Sequence, residues 1–284
     1  MAELLKGKPV ADALLERCRA QTEKLKEKGI TPTLAIVRCG EDPSDLSYEK
    51  GAMKRCEAAG VAVKNIVMPA DVDSETFYKN IDDANHDPSI HGILMFRPVP
   101  KQLGKERARL AIAPEKDVDG CTNGSLAGVF TNTLTGFAPC TAQAVIEIFD
   151  YYGIDLKGKN VTLIGRSLVV GKPLAMLLMN RNATITVCHT RTVDVPAITR
   201  KADIVVCAAG EPEMAGASYF SEGQIVADVG INWNEEKGKL CGDVLFEEAE
   251  PIVDKITPVP GGVGSVTTAV LVSHVVEAAL RQNG

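Results

Sequence analysis

Apolar residues recur along this chain with two different patterns. Short, nearly continuous apolar runs are typical of buried parallel strands, and they occupy residues 33–39, 61–68, 92–96, 161–164, 184–187, 204–207 and 224–229. Apolar residues at helical spacing predict helices between those runs, over residues 10–28, 45–59, 74–84, 141–151 and 266–280. Strands that alternate with helices predict an α/β fold with mostly parallel sheets, in which ligands bind at the carboxyl ends of the strands.

The helix predicted over residues 45–59 carries clear end signals. Ser44 precedes it and is expected to cap its amino terminus, and Gly60 is expected to end it. After residues 92–96, Pro98 and Pro100 exclude regular structure, because neither proline can donate a hydrogen bond to a neighbouring strand. We therefore expect an irregular loop directly after this strand.

The strand, turn and helix predicted over residues 160–173 (N-V-T-L-I-G-R-S-L-V-V-G-K-P) form a candidate nucleotide site. Gly165 would allow close approach of the ligand to the backbone, the polar pair Arg166 and Ser167 follows, and Gly171 would let the helix pack on the sheet. The helix amino terminus, with its unpaired N–H groups and positive dipole end, suits phosphates. The spacing is not G-x-G-x-x-G, so an ordinary turn of an α/β domain is the alternative.

The next three predicted strands end in further candidate cofactor-binding residues, namely Thr190, Arg191, Ala208, Gly210, Gly230 and Ile231. In a Rossmann-like sheet the second strand ends at the adenosine ribose, where a carboxylate selects NAD and basic or hydroxyl groups accommodate a 2′-phosphate. Thr190 and Arg191 lie at this end, without a carboxylate. The pattern favours NADP over NAD, and a merely solvent-facing arginine is the alternative.

A segment rich in proline and glycine, T-P-V-P-G-G-V-G, spans residues 257–264. Its backbone is rigid and carries few side chains, as is needed where main-chain groups lie against a ligand. A hinge between domains would have the same composition, so composition alone does not separate these two interpretations.

Length and composition narrow the class of protein. The 284 residues, 45% of them apolar, suffice for one large or two ordinary domains, and no apolar run reaches membrane-spanning length. The net charge of −6 gives no basic surface for nucleic acid or an anionic membrane, and the amino terminus lacks the pattern of a secretory signal. Neither the eight cysteines nor the four histidines show metal-ligand spacing. We expect a cytoplasmic protein with reduced thiols and no metal.

The segment P-E-K-D-V-D-G, residues 114–120, has four charged residues in seven positions. Such a run between a helix and an apolar segment usually indicates a solvated turn. On these residues alone, we therefore expect its charges to face water.

Four motifs together resemble those of the methylenetetrahydrofolate dehydrogenase/cyclohydrolase family of the bacterial FolD type. They are P-E-K-D-V-D-G (114–120), P-C-T (139–141), G-R-S-x-x-V-G-x-P (165–173) and P-V-P-G-G-V-G (258–264), and they occur in the family's order. The resemblance covers essentially the whole chain. It implies two domains, a folate-binding α/β domain over residues 1–140 and a Rossmann NADP-binding domain over residues 141–265. It also implies a helix over residues 266–284 that returns to the first domain, a cleft between the domains and a homodimer formed through the Rossmann domains.

The resemblance implies hydride transfer from 5,10-methylenetetrahydrofolate to NADP, which gives the 5,10-methenyl cation. In most members the same cleft then adds water to give 10-formyltetrahydrofolate. Tyr48 matches the family's tyrosine, which would flank the folate, and Asp119 matches the aspartate that contacts the pterin. Both are therefore candidate catalytic and substrate-binding residues. Further substrate contacts are implied for Pro258, Gly261, Gly262 and Val263.

The chain departs from the family at two polar positions. The family's helix motif is S-x-x-Y-x-x-x-K, and its lysine falls on Ala52 while its serine falls on Asp45. The glutamine that precedes the family's L-P-L-P loop falls on Phe96, and R-P-V-P follows at residues 97–100. Water attack on the methenyl carbon needs proton management, and loss of positioned acid–base help costs about 10²–10⁴-fold in rate. We therefore expect a dehydrogenase with weak or absent cyclohydrolase activity.

Other interpretations remain open on the sequence. Lys50 and Lys54 lie at other angles around the helix, and Arg55 returns to the face of Tyr48 only about 10 Å further along the axis. Arg55, Asp45 or Arg97 could still rebuild the missing function, in which case the enzyme is bifunctional. A non-catalytic pterin- or nucleotide-binding protein and an oxidoreductase for another substrate are the remaining alternatives.

Overall fold

The computed structural model describes residues 1–283 and divides into two compact units. Within the described residues, the three-stranded unit comprises residues 12–140 and 268–283, and the six-stranded unit comprises Met1–Ala11 and Thr141–Thr267. The amino-terminal residues differ from the predicted division, which assigned them to the first domain. They join the six-stranded unit because Glu3 and Leu4 form a strand in its sheet.

The regular elements alternate along the chain. The strands are β1 (Glu3–Leu4), β2 (Thr33–Cys39), β3 (Ala62–Met68), β4 (Gly92–Met95), β5 (Asn160–Ile164), β6 (Thr184–Cys188), β7 (Ile204–Cys207), β8 (Ile225–Asp228), β9 (Asn232–Asn234), β10 (Lys239–Cys241) and β11 (Lys255–Ile256). The helices are α1 (Gly7–Glu27), α2 (Pro43–Ala59), α3 (Ser74–His86), α4 (Lys105–Arg109), α5 (Asn123–Thr131), α6 (Cys140–Tyr151), α7 (Gly171–Asn180), α8 (Val195–Thr199), α9 (Phe246–Ala249) and α10 (Gly264–Gln282). None of the helices in residues 1–283 is both long enough and apolar enough to cross a membrane.

A small parallel sheet with the order β3-β2-β4 forms the centre of the three-stranded unit. Val37 of β2 pairs with Met95 of β4, and both contribute to a core that includes Phe77 and Ile81 of α3. Because β2 and β4 are parallel, their carboxyl ends meet at one edge of the sheet. The loop that follows β4 therefore begins at this edge.

The amino-terminal cap of α2 is Asp42, not Ser44 as expected. The Asp42 carboxylate accepts a hydrogen bond from the Ser44 backbone N–H at 2.8 Å, and Pro43 begins the helix. Proline suits this first position because its missing N–H would have no partner inside the helix. Gly60 ends the helix in a left-handed conformation with φ of 73°, as predicted.

The six-stranded sheet has the order β1-β11-β8-β7-β5-β6 and is parallel throughout. Ile164 pairs with both Cys188 and Cys207, and Cys207 pairs with Asp228. The four strands thus end level with one another. This confirms the expectation that their candidate residues share one edge of a Rossmann-like sheet.

Candidate functional site

The buried face of α2 positions the candidate tyrosine in the three-stranded unit. Glu49 accepts hydrogen bonds from Arg38 of β2 at 2.9 Å and from Asn65 of β3 at 2.9 Å, so the helix is held against the sheet. Ala52 has no exposed surface, whereas Tyr48, one turn earlier, is 38% exposed. Position 52 therefore faces the protein interior with only a methyl group.

Phe96 lies directly against Tyr48. The two ring centroids are 5.9 Å apart with an interplanar angle of 89°, which is an edge-to-face contact. Phe96 follows β4, and its backbone N–H donates to the Val37 carbonyl at 3.0 Å, which fixes the start of the loop. The structure therefore places an apolar ring beside Tyr48 at the position where the family resemblance implies a glutamine.

Asp119 pairs with the next residue of the same loop, Arg97. The Arg97 Nη2 donates to the Asp119 Oδ2 at 2.7 Å, and the side chains are 30% and 24% exposed. Burial raises the pKa of Asp119 to about 6 against the opposing effect of Arg97, with Asp117 adding to the rise. At neutral pH Asp119 is therefore a carboxylate, and it forms an ion pair with the Arg97 guanidinium.

Cys140 and His274 both contact the carbonyl of Val118, the residue that precedes Asp119. The Cys140 thiol donates to the Val118 carbonyl at 3.2 Å, and the His274 Nδ1 lies 2.9 Å from the same oxygen. Burial and the neighbouring Asp119 raise the pKa of Cys140 well above its usual value, so the thiol is neutral. The neutral thiol donates its one proton to the Val118 carbonyl, and its proximity to Asp119 lowers the pKa of that carboxyl.

The expectation of a solvated turn at residues 114–120 is wrong for two of its charges. Lys116 is 5% exposed and donates to the Ala84 and Asp87 carbonyls at 3.1 and 2.7 Å. Asp117 is fully buried and accepts from the backbone N–H groups of residues 121 and 122, at 3.1 and 2.7 Å, and from the Ser125 hydroxyl at 2.6 Å. Buried charges must be paired or hydrogen-bonded, and these partners make the loop rigid under Asp119.

Tyr48 lies within electrostatic range of Asp119. Burial of its hydroxyl raises the pKa of Tyr48, the neighbouring Cys140 and Asp119 add to the rise, and a hydrogen bond with Thr268 opposes it. The structure therefore brings the two candidate catalytic residues into one cluster. The phenol stays protonated at neutral pH and can act as a hydrogen-bond donor.

Arg55 is closer to this cluster than its sequence position indicates. Its side chain runs back along α2, so that its Nη1 lies beside Gly51, and its charge opposes the rise in the Tyr48 pKa. This placement is consistent with the alternative in which Arg55 supplies a cationic group beside Tyr48. Lys50 and Lys54 are exposed and line a different surface groove of α2, as expected from their helical angles.

In the six-stranded unit, the turn after β5 brings two backbone segments into contact. Gly165 has φ of 122°, and a Cβ there would lie 2.1 Å from the Ala208 carbonyl oxygen. At Gly171 a Cβ would lie 2.3 Å from the Gly165 oxygen, so only glycine fits at either position. Ser167 accepts from the Val170 N–H at 3.1 Å, and the side chains of Arg166 and Ser167 are exposed on the turn before α7.

Thr190 and Arg191 are exposed at the end of β6, which is an edge strand of the sheet. The Arg191 backbone N–H donates to the His189 Nδ1 at 3.1 Å, and the His189 N–H donates to the Thr192 hydroxyl at 2.9 Å. These bonds hold the turn, and the Arg191 guanidinium projects from it into solvent.

Two buried aspartates shape the strand ends, and the sequence analysis missed both. Asp243 is fully buried and accepts from the backbone N–H groups of residues 209, 210 and 211 at 2.6, 3.1 and 3.1 Å. Asp228 accepts from the N–H groups of Gly230, Asp243 and Val244, each at 3.0 Å, while burial raises its pKa to about 7. Asp243 thus fixes the Ala208 and Gly210 loop, and Asp228 fixes the turn at Gly230 that exposes Ile231.

The segment at residues 257–264 also belongs to the six-stranded unit. The Gly7 N–H donates to the Gly261 carbonyl at 2.8 Å, and the Ser265 N–H donates to the Gly262 carbonyl at 3.0 Å, at the start of α10. Val263 is buried and Pro258 is half-buried. The candidate substrate contacts in this segment therefore lie in a different unit from Tyr48 and Asp119. Within residues 1–283, no cluster of histidine, cysteine and acidic residues could hold a metal ion.

Comparison with known proteins decides the family. The family model described as tetrahydrofolate dehydrogenase/cyclohydrolase, catalytic domain, matches residues 5–119, and the one described as its NAD(P)-binding domain matches residues 139–283. The chain belongs to the tetrahydrofolate dehydrogenase/cyclohydrolase family. The resemblance seen in the motifs is confirmed, as is the α/β fold with a catalytic and an NAD(P)-binding domain.

Individual members of this family are similar over their full length. The bifunctional protein FolD of Carboxydothermus hydrogenoformans is 53% identical, covering 100% of this chain and 99% of that protein. The structure of the bifunctional FolD methylenetetrahydrofolate dehydrogenase/cyclohydrolase from Campylobacter jejuni superposes with a TM-score of 0.95 at 37% identity, covering 99% of each chain. The Trypanosoma brucei FolD enzyme, in complex with NADP and an inhibitor, superposes with a TM-score of 0.90 at 32% identity, covering 99% of this chain and 98% of that one.

Proposed function

We propose that this chain is an NADP-dependent 5,10-methylenetetrahydrofolate dehydrogenase with little or no methenyltetrahydrofolate cyclohydrolase activity. It removes a hydride from the methylene carbon of the folate and delivers it to the nicotinamide, leaving the 5,10-methenyl cation. The observation that carries the proposal is the pair of replacements beside Tyr48, where Ala52 is a buried methyl group and Phe96 is an apolar ring.

The dehydrogenase half depends on positioning rather than on a base. Hydride transfer requires the methylene carbon to be held against the nicotinamide C4, and no protein group accepts a proton in that step. Tyr48 and Asp119 supply a ring and a carboxylate in one cluster, which suits a flat pterin with N–H donors. Tyr48 and Asp119, the two residues that the dehydrogenase step is expected to use, are therefore both present in this chain.

The hydrolytic half needs protons to be moved. Water that attacks the methenyl carbon must lose a proton, and a positioned acid–base group accelerates such a step by about 10²–10⁴-fold. The side chains of Ala52 and Phe96 can neither donate nor accept a proton or a hydrogen bond, so neither can activate the attacking water. We therefore infer that the methenyl product leaves without enzymatic hydrolysis.

The choice of NADP rests on the end of β6. Thr190 and Arg191 are exposed there and can donate to a 2′-phosphate, and a carboxylate that would bind the 2′-hydroxyl of NAD is lacking in this turn. The Trypanosoma brucei relative was solved with NADP. We also propose a homodimer formed through the NAD(P)-binding domain, which sedimentation of the purified protein would test.

A bifunctional enzyme is the second candidate. A relative named bifunctional is 53% identical over essentially the whole chain, and two cationic side chains lie in the Tyr48 cluster. Arg97 contacts Asp119 at 2.7 Å, and Arg55 reaches back towards Tyr48. Either guanidinium could take over the electrostatic part of the lysine's role, although an arginine does not give up its proton.

One spectrophotometric experiment separates these candidates. The methenyl chromophore is followed after mixing purified protein, methylenetetrahydrofolate and either NADP or NAD, and its decay is compared with decay in buffer alone. We expect chromophore to form faster with NADP and to decay at the buffer rate. Decay accelerated to a rate comparable with formation establishes the bifunctional enzyme instead, and absence of NADP reduction would favour a non-catalytic binding protein.

A further inference from the structure

Arg97 is a residue for which the family resemblance gives no role. The family's loop reads L-P-L-P after its glutamine, so Arg97 stands where a leucine is usual. Here the side chain pairs with Asp119 across 22 positions of sequence, with 2.7 Å between Nη2 and Oδ2. A charged side chain in place of an apolar one, aimed at a pterin-contacting carboxylate, indicates a change in how the pterin is bound.

Asp119 is the only carboxylate of the 114–120 loop that can both pair with Arg97 and accept hydrogen bonds from a pterin. Asp117 lies two residues earlier, but its oxygens are occupied by two backbone N–H groups and the Ser125 hydroxyl. Glu115 lies on the short 3₁₀ turn Pro114–Lys116 and has no hydrogen bond to Arg97 among the contacts of residues 1–283. The buried contacts of Lys116 and Asp117 fix the loop, so Asp119 and Arg97 meet in a defined geometry.

The pair matches one edge of a pterin. The 2-amino group and the N3–H of a 2-amino-4-oxopteridine are adjacent donors, and its 4-oxo group is an acceptor beside them. A carboxylate has two acceptor oxygens, and a guanidinium has five N–H donors in a planar fork, of which the contact with Asp119 uses one nitrogen. A side-by-side carboxylate and guanidinium can therefore accept from the first two groups and donate to the third.

We propose that Arg97 is a specificity-determining residue that donates to the 4-oxo group of the folate, beside the pterin contact that the family resemblance already implies for Asp119. This rests on the proposed folate site and deepens it. The ion pair carries no net charge, so it adds no repulsion towards the methenyl cation. Arg97 also holds Asp119 in the ionised form that the pterin donors need.

Ligand discrimination tests the proposal directly. Binding of tetrahydrofolate and of its 2,4-diamino analogue is measured by calorimetry in wild type and in Arg97→Leu. A donor in place of the 4-oxo group would face the Arg97 donors, so we expect wild type to prefer the 4-oxo ligand by at least about 10- to 100-fold. In Arg97→Leu the preference should fall to within a few-fold. Equal discrimination in both proteins overturns the proposal.

The pH dependence of tetrahydrofolate binding provides a readout that a merely structural role would not move. Because burial raises the pKa of Asp119 to about 6 and Arg97 opposes the rise, wild-type binding should weaken as the pH falls through about 6, and the midpoint should move upward in Arg97→Leu. Arg97→Lys keeps the charge and should restore the midpoint. The other titratable groups that act on Asp119 from neighbouring elements are Asp117, Cys121, Cys140 and Tyr48.

Arg107→Leu is the matched control, because Arg107 is exposed in the same unit and stacks on Tyr78 at 3.9 Å, away from Asp119. It should leave discrimination and the pH midpoint unchanged. An unchanged midpoint in Arg97→Leu contradicts the second part of the proposal. If wild type binds no tetrahydrofolate at all, the proposed function itself fails, and this outcome is distinct from equal discrimination by an active enzyme.

Discussion

At the scale of single residues, Asp119 shows how surroundings determine chemistry. Burial raises its pKa to about 6, while Arg97 and, to a smaller extent, Cys140 oppose that rise. The carboxylate is available at neutral pH because an opposite charge stands beside it.

The replacements beside Tyr48 can be reversed by mutation. Ala52→Lys alone must bury an ammonium at a position without exposed surface, so we expect lower stability and little hydrolysis. With Phe96→Gln the ring is replaced by a polar partner, and we expect methenyl hydrolysis to rise about 10²-fold or more. The assay is chromophore decay, with hydride transfer as the internal control. Absent hydrolysis in a well-folded double variant that still transfers hydride would contradict our explanation of these positions.

Cofactor choice is also a residue-scale question. Arg191→Ala removes the exposed guanidinium at the end of β6, and charge-assisted hydrogen bonds contribute about 1.5–3 kcal/mol. We therefore expect the ratio of kcat/KM for NADP to that for NAD to fall about 10- to 100-fold. Arg181→Ala removes another exposed arginine of the same unit, one that pairs with Asp150 at 2.6 Å, and serves as the control. An unchanged ratio in Arg191→Ala would show that the 2′-phosphate is bound elsewhere.

At the scale of elements, buried polar groups connect strand ends that are distant in sequence. Asp243 holds residues 209–211 after β7, and Asp228 at the end of β8 holds the backbone of Asp243 itself. Glu49 holds α2 against β2 and β3 in the same manner. Loops held by such contacts are rigid, as a site that acts by positioning requires.

Asp243→Asn tests this role. The amide offers one acceptor oxygen and presents N–H donors to backbone N–H groups, so we expect a loss of about 1–3 kcal/mol in unfolding free energy. The KM for NADP should rise, while that for methylenetetrahydrofolate should change little. Asp254→Asn is the matched control, since Asp254 is exposed in the same unit. Denaturant unfolding and steady-state kinetics provide both measurements, and an unchanged KM for NADP would contradict the positioning role.

At the scale of the whole molecule, the candidate residues fall into two units. Tyr48, Arg97 and Asp119 belong to the three-stranded unit, and the nucleotide candidates belong to the six-stranded unit. The helix α10 begins in the six-stranded unit, and its residues from Thr268 onward belong to the other. The candidate folate contacts are divided between the units, because Pro258, Gly261, Gly262 and Val263 belong to the six-stranded unit, whereas the candidate nucleotide contacts all lie in the six-stranded unit.

This separation predicts selective thermal protection. A ligand at 100 times its Kd stabilises the folded state by about 2.7 kcal/mol. We expect Asp119→Asn to lose protection by tetrahydrofolate while it keeps protection by NADP, and Asp243→Asn to show the reverse. Scanning fluorimetry of both variants with each ligand alone provides the measurement. Loss of both protections in either variant would show that the two sites are not separable.

The hydrophobic pattern alone determined the fold class and the longer strands, whereas α5 and short elements such as α4, α8, β9 and β10 were not predicted. The strands at residues 33–39 and 204–207 have the predicted bounds, because strands buried on both faces of a parallel sheet are continuous apolar runs. The two-residue strand β1 was missed, since Glu3 and Leu4 form a strand only through pairing with β11. The motifs also identified the family, because their glycine, proline and charged residues occur at the family's spacings and in its order, and the two family models match residues 5–119 and 139–283.

Only the tertiary structure decided which charges are buried and which are paired. Lys116 and Asp117 are part of a charged run that is typical of solvated turns, yet both are buried. Asp119 meets Arg97 across 22 positions, and Asp243 meets the backbone of Ala209 across 34. The local sequence does not predict such contacts, because the free energy of a charged group depends on neighbours that folding brings from distant parts of the chain.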